Sequence, residues 1–279
     1  MGLGAYLHLR INPNKAIGEL EPTRLFYITD KSMILLVNVL SELVQRLSVE
    51  LDSLTFWLFR IDLCQDCILD HEDDVKAYIR LLHKGSSFHN WRLVSYQDEK
   101  DEHSFRRVNQ RYQVTAYDKL YQIKDRGQAT TWNSDQRILR VEVALLPDGI
   151  SHIREKLKVE AKDWLTLLQE LNYSSAQIIC NVLNKLIPQG MYCSLAFAKI
   201  IIQNSHFYQH KKQALIEFLS SVNRFSHIDT NELKKRKNGK KRLRQLMALN
   251  INPVTIDARS NILFLPSLLP NERNTDSTQ

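Results

Sequence analysis

Three triplets hold the residues best suited to chemistry: Arg60-Ile61-Asp62, Tyr117-Asp118-Lys119 and Arg140-Val141-Glu142. Each lies in an apolar, β-prone run, respectively FWLFRIDL, YQVTAYDKLYQI and ILRVEVALL. Side chains two apart on a strand project to the same face. The outer residues of each triplet are therefore expected together, and Phe59, Ile61, Leu63, Leu139, Val141 and Val143 on the greasy face behind them. If the strands are neighbours, one sheet face carries two carboxylates, two guanidiniums, an ammonium and a phenol. Charged groups at mid-strand are costly unless they pair, bind metal or meet an anion. Such a set suits phosphoryl transfer. The plainer alternative is a wet sheet face whose cross-strand ion pairs serve only the sheet.

The elements that would carry these residues alternate in the first half. Period-2 and β-branched runs predict strands over 5–11, 25–28, 56–63, 91–96, 112–123 and 137–145, with helices near 31–48 and 71–84. The charged stretch QDEKDEHSFRR reads as a loop. After Pro147-Asp148-Gly149 the pattern turns helical to about Ser221, with breaks at Asn172, Pro188-Gln189-Gly190 and Ser205. A basic helix, a Pro-containing return and a short strand in NILFLPSLL follow. The predicted fold class is α+β, with an antiparallel-sheet domain at 1–148 and a mainly helical domain at 149–270. Residues 271–279 are predicted to be a disordered tail.

The chain has 279 residues and a formal net charge of +7, and that charge is localised. Lys234, Lys235, Arg236, Lys237, Lys240, Lys241, Arg242 and Arg244 form one block without an acid. Removing those eight from +7 leaves the rest at −1. Such a block can neutralise phosphates and release their counterions, which points to DNA, although a solvated loop would look the same. The start lacks the basic, apolar and small-residue regions of a secretory signal, and no charge-free run has the length of a membrane span. These features and the few cysteines suit a reducing cytoplasm and exclude a disulfide scaffold. Cys64 and Cys67 form a lone CxxC without a second pair for zinc.

Several site types are excluded by their missing motifs: GxxxxGK[ST], GxGxxG, GxSxG and HExxH do not occur. His206 and His210 have metal-compatible spacing on an expected helix but sit beside Lys211 and Lys212. His83, His89 and His103 lack regular spacing, though one of them could add a third ligand to a metal site.

At LHLRINPNKAIG (7–18), RIDLC (60–64), VTAYDKLYQI (114–123), ILRVEVAL (138–145) and INPVTI (251–256), the chain resembles the rolling-circle replication initiators of filamentous phages and small plasmids, particularly replication-type proteins of Gram-positive bacteria. The resemblance implies a Rep-endonuclease-like sheet that nicks single-stranded DNA at an origin, leaving a 5′-phosphotyrosyl intermediate and a free 3′-OH. It also implies a divalent cation, Mg²⁺ or Mn²⁺, for which Asp62 and Glu142 are suitable hard donors. Tyr117 is the first choice of nucleophile. Arg60 and Arg140 would clamp phosphate or hold the carboxylates, and Lys119 would lower the phenol's pKa or stabilise the leaving oxygen. Expected partners are single-stranded origin DNA with its flanking duplex, host replication proteins and a second copy in a homodimer, with no membrane.

The chain departs from that family in two ways. The histidine–hydrophobic–histidine strand motif is absent, so the site would be all-carboxylate or single-histidine. The family's further strand before the LHLRINP-like segment is also not seen here. The alternatives are a catalytically inactive DNA-binding relative and a protein-interaction module built on the helices.

Overall fold

The computed structural model describes residues 9–19, 21–46, 56–85, 91–94, 102–132, 134–160, 163–225, 228, 230–257 and 260–268. A short helix α1 (Pro13–Ala16) precedes α2 (Asp30–Gln45). In a capping box at the start of α2, the Thr29 and Ser32 side chains each accept from the other's backbone N–H. This satisfies donors that a helix start leaves open. Met33, Leu36, Leu40 and Val44, spaced three and four apart, form its buried stripe.

Five strands then build an antiparallel sheet: β1 (Ile61–Leu69), β2 (Arg92–Leu93), β3 (Ser104–Val108), β4 (Tyr112–Asp118) and β5 (Arg137–Leu145), in spatial order β1-β5-β4-β3-β2. Helix α3 (Glu72–Gly85) follows edge strand β1. Glu72, Asp73 and Asp74 occupy its first turn and His83 and Lys84 its last, the sense that suits the helix dipole. Val75, Tyr78, Ile79 and Leu82 of α3 share one hydrophobic cluster with Leu63, Val114, Leu139, Val141, Val143 and Leu145 of the sheet. Helix α4 (Lys119–Asp125) links β4 to its neighbour β5.

The second half contains α5 (Pro147–Leu157), α6 (Trp164–Tyr173), α7 (Ser175–Leu186), β6 (Tyr192–Cys193), α8 (Leu195–Gln203), α9 (Gln209–Val222), α10 (Thr230–Lys235), α11 (Gly239–Ala248) and β7 (Phe264–Leu265). β6 and β7 pair antiparallel. The hydrophobic cluster runs on from the sheet through Val182, Leu219 and Leu246 to Leu265. Tyr78 spans the two halves: its hydroxyl donates to the Pro266 carbonyl at 2.9 Å. The fully buried Asn252 pins the Ile-Asn-Pro return, donating to Pro188 O (2.7 Å) and accepting from Val254 N (2.9 Å).

The fold is thus mixed α and β around an antiparallel sheet, and β5 covers the whole of its expected run. Other boundaries differ. Residues 56–60 and 25–28 are irregular, and β1 instead runs through CQDCIL. The expected strand 112–123 ends at Asp118, where the Asp118 side chain accepts from Tyr121 N and caps α4. β3 occupies part of the stretch read as a loop, because Phe105 is fully buried on it. The expected strands at 5–11 and 91–96 lie partly outside the described residues, and residues 9–11 are irregular.

α10 and α11 meet closely. Asn238 takes the left-handed conformation (φ 61°) in the turn, and a Cβ on Gly239 would overlap the Leu233 carbonyl oxygen. Gly239→Ala should therefore destabilise the protein by about 1–3 kcal/mol, the scale of local overpacking. A thermal melt should show the lowered midpoint, and an unchanged midpoint would mean the helices do not approach this closely.

Candidate phosphate-handling face of the sheet

Directly paired residues of antiparallel strands share a face. The register aligns Cys64, Glu142, Thr115 and Arg106 in one row, and Asp66, Arg140, Tyr117 and Ser104 in the next. Asp62 pairs with Ala144 and begins a third row. The four strand-borne candidates Asp62, Tyr117, Arg140 and Glu142 thus come to one side of the sheet, as the spacing predicts, and Arg60, just before β1, joins them through its bonds to Asp62.

Arg140 is the most constrained of them. Its Nε and Nη2 each lie 2.7 Å from one oxygen of Asp66, and Nη2 also donates to the Thr23 carbonyl at 2.6 Å. Burial works against its charge, but the hydrogen bonds and charge of Asp66 outweigh this and raise the guanidinium's pKa. Arg60 forms a second two-pronged pair, with Asp62 (2.7 and 3.1 Å), nearer solvent.

The Tyr117 hydroxyl donates to Glu142 Oε1 at 2.6 Å. Tyr117 is 7% exposed. Burial, then the neighbouring carboxylate, pushes the phenol's pKa up. This corrects the expectation that Lys119 lowers it. Lys119 is not a strand residue but the first residue of α4. Its Nζ donates to Gln122 Oε1 at 2.9 Å and lies 6.0 Å from the centre of the Tyr117 ring. Burial, then Arg140, lowers the ammonium's pKa to about 8.

Asp62 and Glu142 do not meet as a ligand pair, because Cys64 rather than Asp62 faces Glu142 across the strands. Each carboxylate is also engaged, one by Arg60 and the other by Tyr117. Among the described residues, no group of three or more His, Cys, Asp or Glu side chains is placed to hold a metal ion. So paired, these donors do not fit a divalent cation. Cys64 and Cys67, three apart on a strand, face opposite sides of the sheet. Burial, then Glu142, pushes the Cys64 thiol up to about 12, and burial pushes Cys67 up to about 11. Neither is a reactive thiolate at neutral pH. His83 Nε2 sits 3.0 Å from the Ser104 carbonyl, and the His103 ring stacks on Tyr121. His89 lies outside the described residues, and His206 is in the turn before α9 rather than on a helix with His210.

The basic block forms the end of α10, the turn and the start of α11. Lys234, Lys235, Arg236, Lys237, Lys240, Lys241 and Arg244 are exposed. Arg242 is half-buried over the Phe218 ring, and Leu233 and Leu246 anchor the pair of helices in the core. A short helix, a tight turn and a second helix thus present these cations together on the surface.

Sequence reasoning misses Asp66 and Arg106. Asp66 is four residues from Asp62, so an unbroken strand puts it on the same face. Ending the strand at Leu63 hides that signal. Comparison with protein-family models, curated proteins and solved structures gave no match.

Arg140→Met should cost roughly 3–5 kcal/mol by stranding the Asp66 carboxylate, and adding Asp66→Leu should recover most of it. Chemical denaturation checks both, and additive losses would mean the pair is not coupled. Lys119→Met has the opposite sign. With a folded pKa below the unfolded one, the lysine binds fewer protons when folded, so its burial penalty is greatest below pH 8 and fades as pH rises towards its ordinary value near 10.5. The variant should be more stable than wild type at pH 7, and the gain should shrink by pH 10.

Proposed function

We propose that this chain binds DNA and nicks one strand at the polar sheet face, as the rolling-circle initiators that its motifs resemble do. The carrying observation is the 2.6 Å hydrogen bond from Tyr117 to Glu142, with the Arg140 guanidinium and the Lys119 ammonium beside it. An unperturbed phenol is mostly protonated at neutral pH, so it needs a base in contact to act as a nucleophile. Glu142 takes the phenolic proton as the Tyr117 oxygen forms a bond to phosphorus. The bond from phosphorus to the 3′-oxygen breaks, and Lys119, with a pKa about 8, supplies the proton that makes the 3′-OH. Arg140 and Arg106 balance charge on the phosphoryl oxygens. The α10–α11 pair holds flanking DNA through its exposed cations.

No step is routed through Mg²⁺ or Mn²⁺, because the Asp62 and Glu142 carboxylates that would hold the ion are taken up by Arg60 and Tyr117. The Rep-endonuclease-like reading of the sheet belongs to the same proposal. A second reading, binding without cleavage, is favoured by the 7% exposure of Tyr117 and by the pairing of every carboxylate on the face described above.

The test is covalent capture of labelled single-stranded oligonucleotides, with Mn²⁺ and with chelator, followed by denaturation. Tyr117→Phe should abolish the adduct, and Glu142→Gln should lower its rate by about 10²–10⁴, the range of general-base effects. An undiminished adduct in either variant removes that residue from the reaction. Replacing Lys240, Lys241 and Arg244 by Gln should weaken DNA binding and flatten its salt dependence by about 0.7–0.9 in log–log slope for each phosphate no longer neutralised. An unchanged slope would place DNA elsewhere.

A further inference from the structure

We propose that the groove beside the start of β1 is a seat for an unpaired base of single-stranded DNA. It is a cavity of about 200 Å³ whose walls include Trp57, Phe59, Ile150, Ser151, Arg154 and Trp164. This is small beside the ~300–1,000 Å³ sites that enclose larger ligands, and its aromatic walls suit one planar group.

Three observations support this occupant. Trp57 and Phe59 are 71% and 59% exposed, which is unusual for neighbouring rings that serve only a core. Trp164 is held against Phe56, ring centres 5.5 Å apart, so its part of the wall is fixed by packing. The polar groups are a guanidinium and a hydroxyl, which can donate to a base edge or to phosphate. Aromatic walls with a cation are the usual means of holding unpaired bases, since every base has a π-face.

The one charged group among the described residues of the groove wall, the Arg154 guanidinium, has the sign a nucleic-acid backbone requires, while Asp148 and Asp163 adjoin the wall residues Pro147 and Trp164. An apolar peptide would gain nothing from the guanidinium on the wall, whereas a phosphate of a seated strand would.

This inference rests on the nicking and binding reading and deepens it, because it makes the substrate single-stranded at this point. Phe59 and Asp62 are three residues apart, roughly 10 Å along an extended chain. A strand seated at Phe59 need only cross the outer edge of β1 to reach the next residue, Arg60, and through it Asp62 on the polar face. Because β1 is the outermost strand, no neighbouring strand among the described residues blocks that path.

Anisotropy titrations with a labelled thymidine oligomer of about twelve nucleotides, within common single-strand site sizes, and with a duplex of equal length separate the outcomes. Trp57→Ala and Phe59→Ala should each weaken single-strand binding about tenfold or more and leave duplex binding unchanged. Trp57→Phe should retain most of the affinity, because it keeps a ring. Wild-type protein that binds both DNAs, with alanine variants that bind the single strand equally well, overturns the groove while leaving the DNA reading intact. Equal losses for single strand and duplex also overturn it, by marking the residues as structural. Wild-type protein that binds neither DNA overturns both.

Discussion

The two-pronged pair of Arg140 with Asp66 is the constraint on which the polar face depends. It joins β5 to β1, and the bond from Arg140 to the Thr23 carbonyl draws the segment before α2 onto the same face. A half-paired guanidinium at this depth would be strongly unfavourable, so the three elements are held together. With β5 so fixed, Glu142 stands beside β4 at the height where Tyr117 can reach it. The closeness of phenol and carboxylate is thus a consequence of a pair one row away.

That arrangement also separates chemical roles by burial. Asp62 and Arg60 are near solvent and can exchange partners at little cost, as exposed ion pairs do. Tyr117, Lys119 and Arg140 are almost covered, where charge effects act at lower effective dielectric. Burial raises the pKa of the phenol and lowers that of the ammonium to about 8, so a neutral phenol and a readily deprotonated ammonium stand beside a permanently charged guanidinium. Such a site favours proton movement over fixed charge, which is why the Tyr117–Glu142 hydrogen bond carries the functional reading.

Legibility in the sequence follows burial pattern and length. β5 can be read in full because its apolar alternation with Arg140 and Glu142 spans nine residues without interruption. The sharing of one face by the three triplets follows from a period of two, whatever the strand ends. Lys119 is misplaced by its sequence pattern because Tyr117-Asp118-Lys119 reads as a strand continuing to Ile123, whereas the Asp118 side chain caps a helix there. A cap and a strand interior look alike in so short a polar interval. β3 is hidden among charges because its burial rests chiefly on Phe105 and on Arg107, which is itself 5% exposed. The partner of Arg140 is legible in principle, since Asp62, Cys64 and Asp66 keep the same parity, but only once β1 is known to run to Leu69.

The most direct test of the account is to digest the covalent protein–DNA complex and find by mass spectrometry which peptide carries the nucleotide. The account predicts nucleotide mass on Tyr117. A nucleotide on Tyr112 or Tyr121, or on a residue away from the polar face, would contradict it, as would recovery of intact protein free of nucleotide after cleavage of the cognate strand.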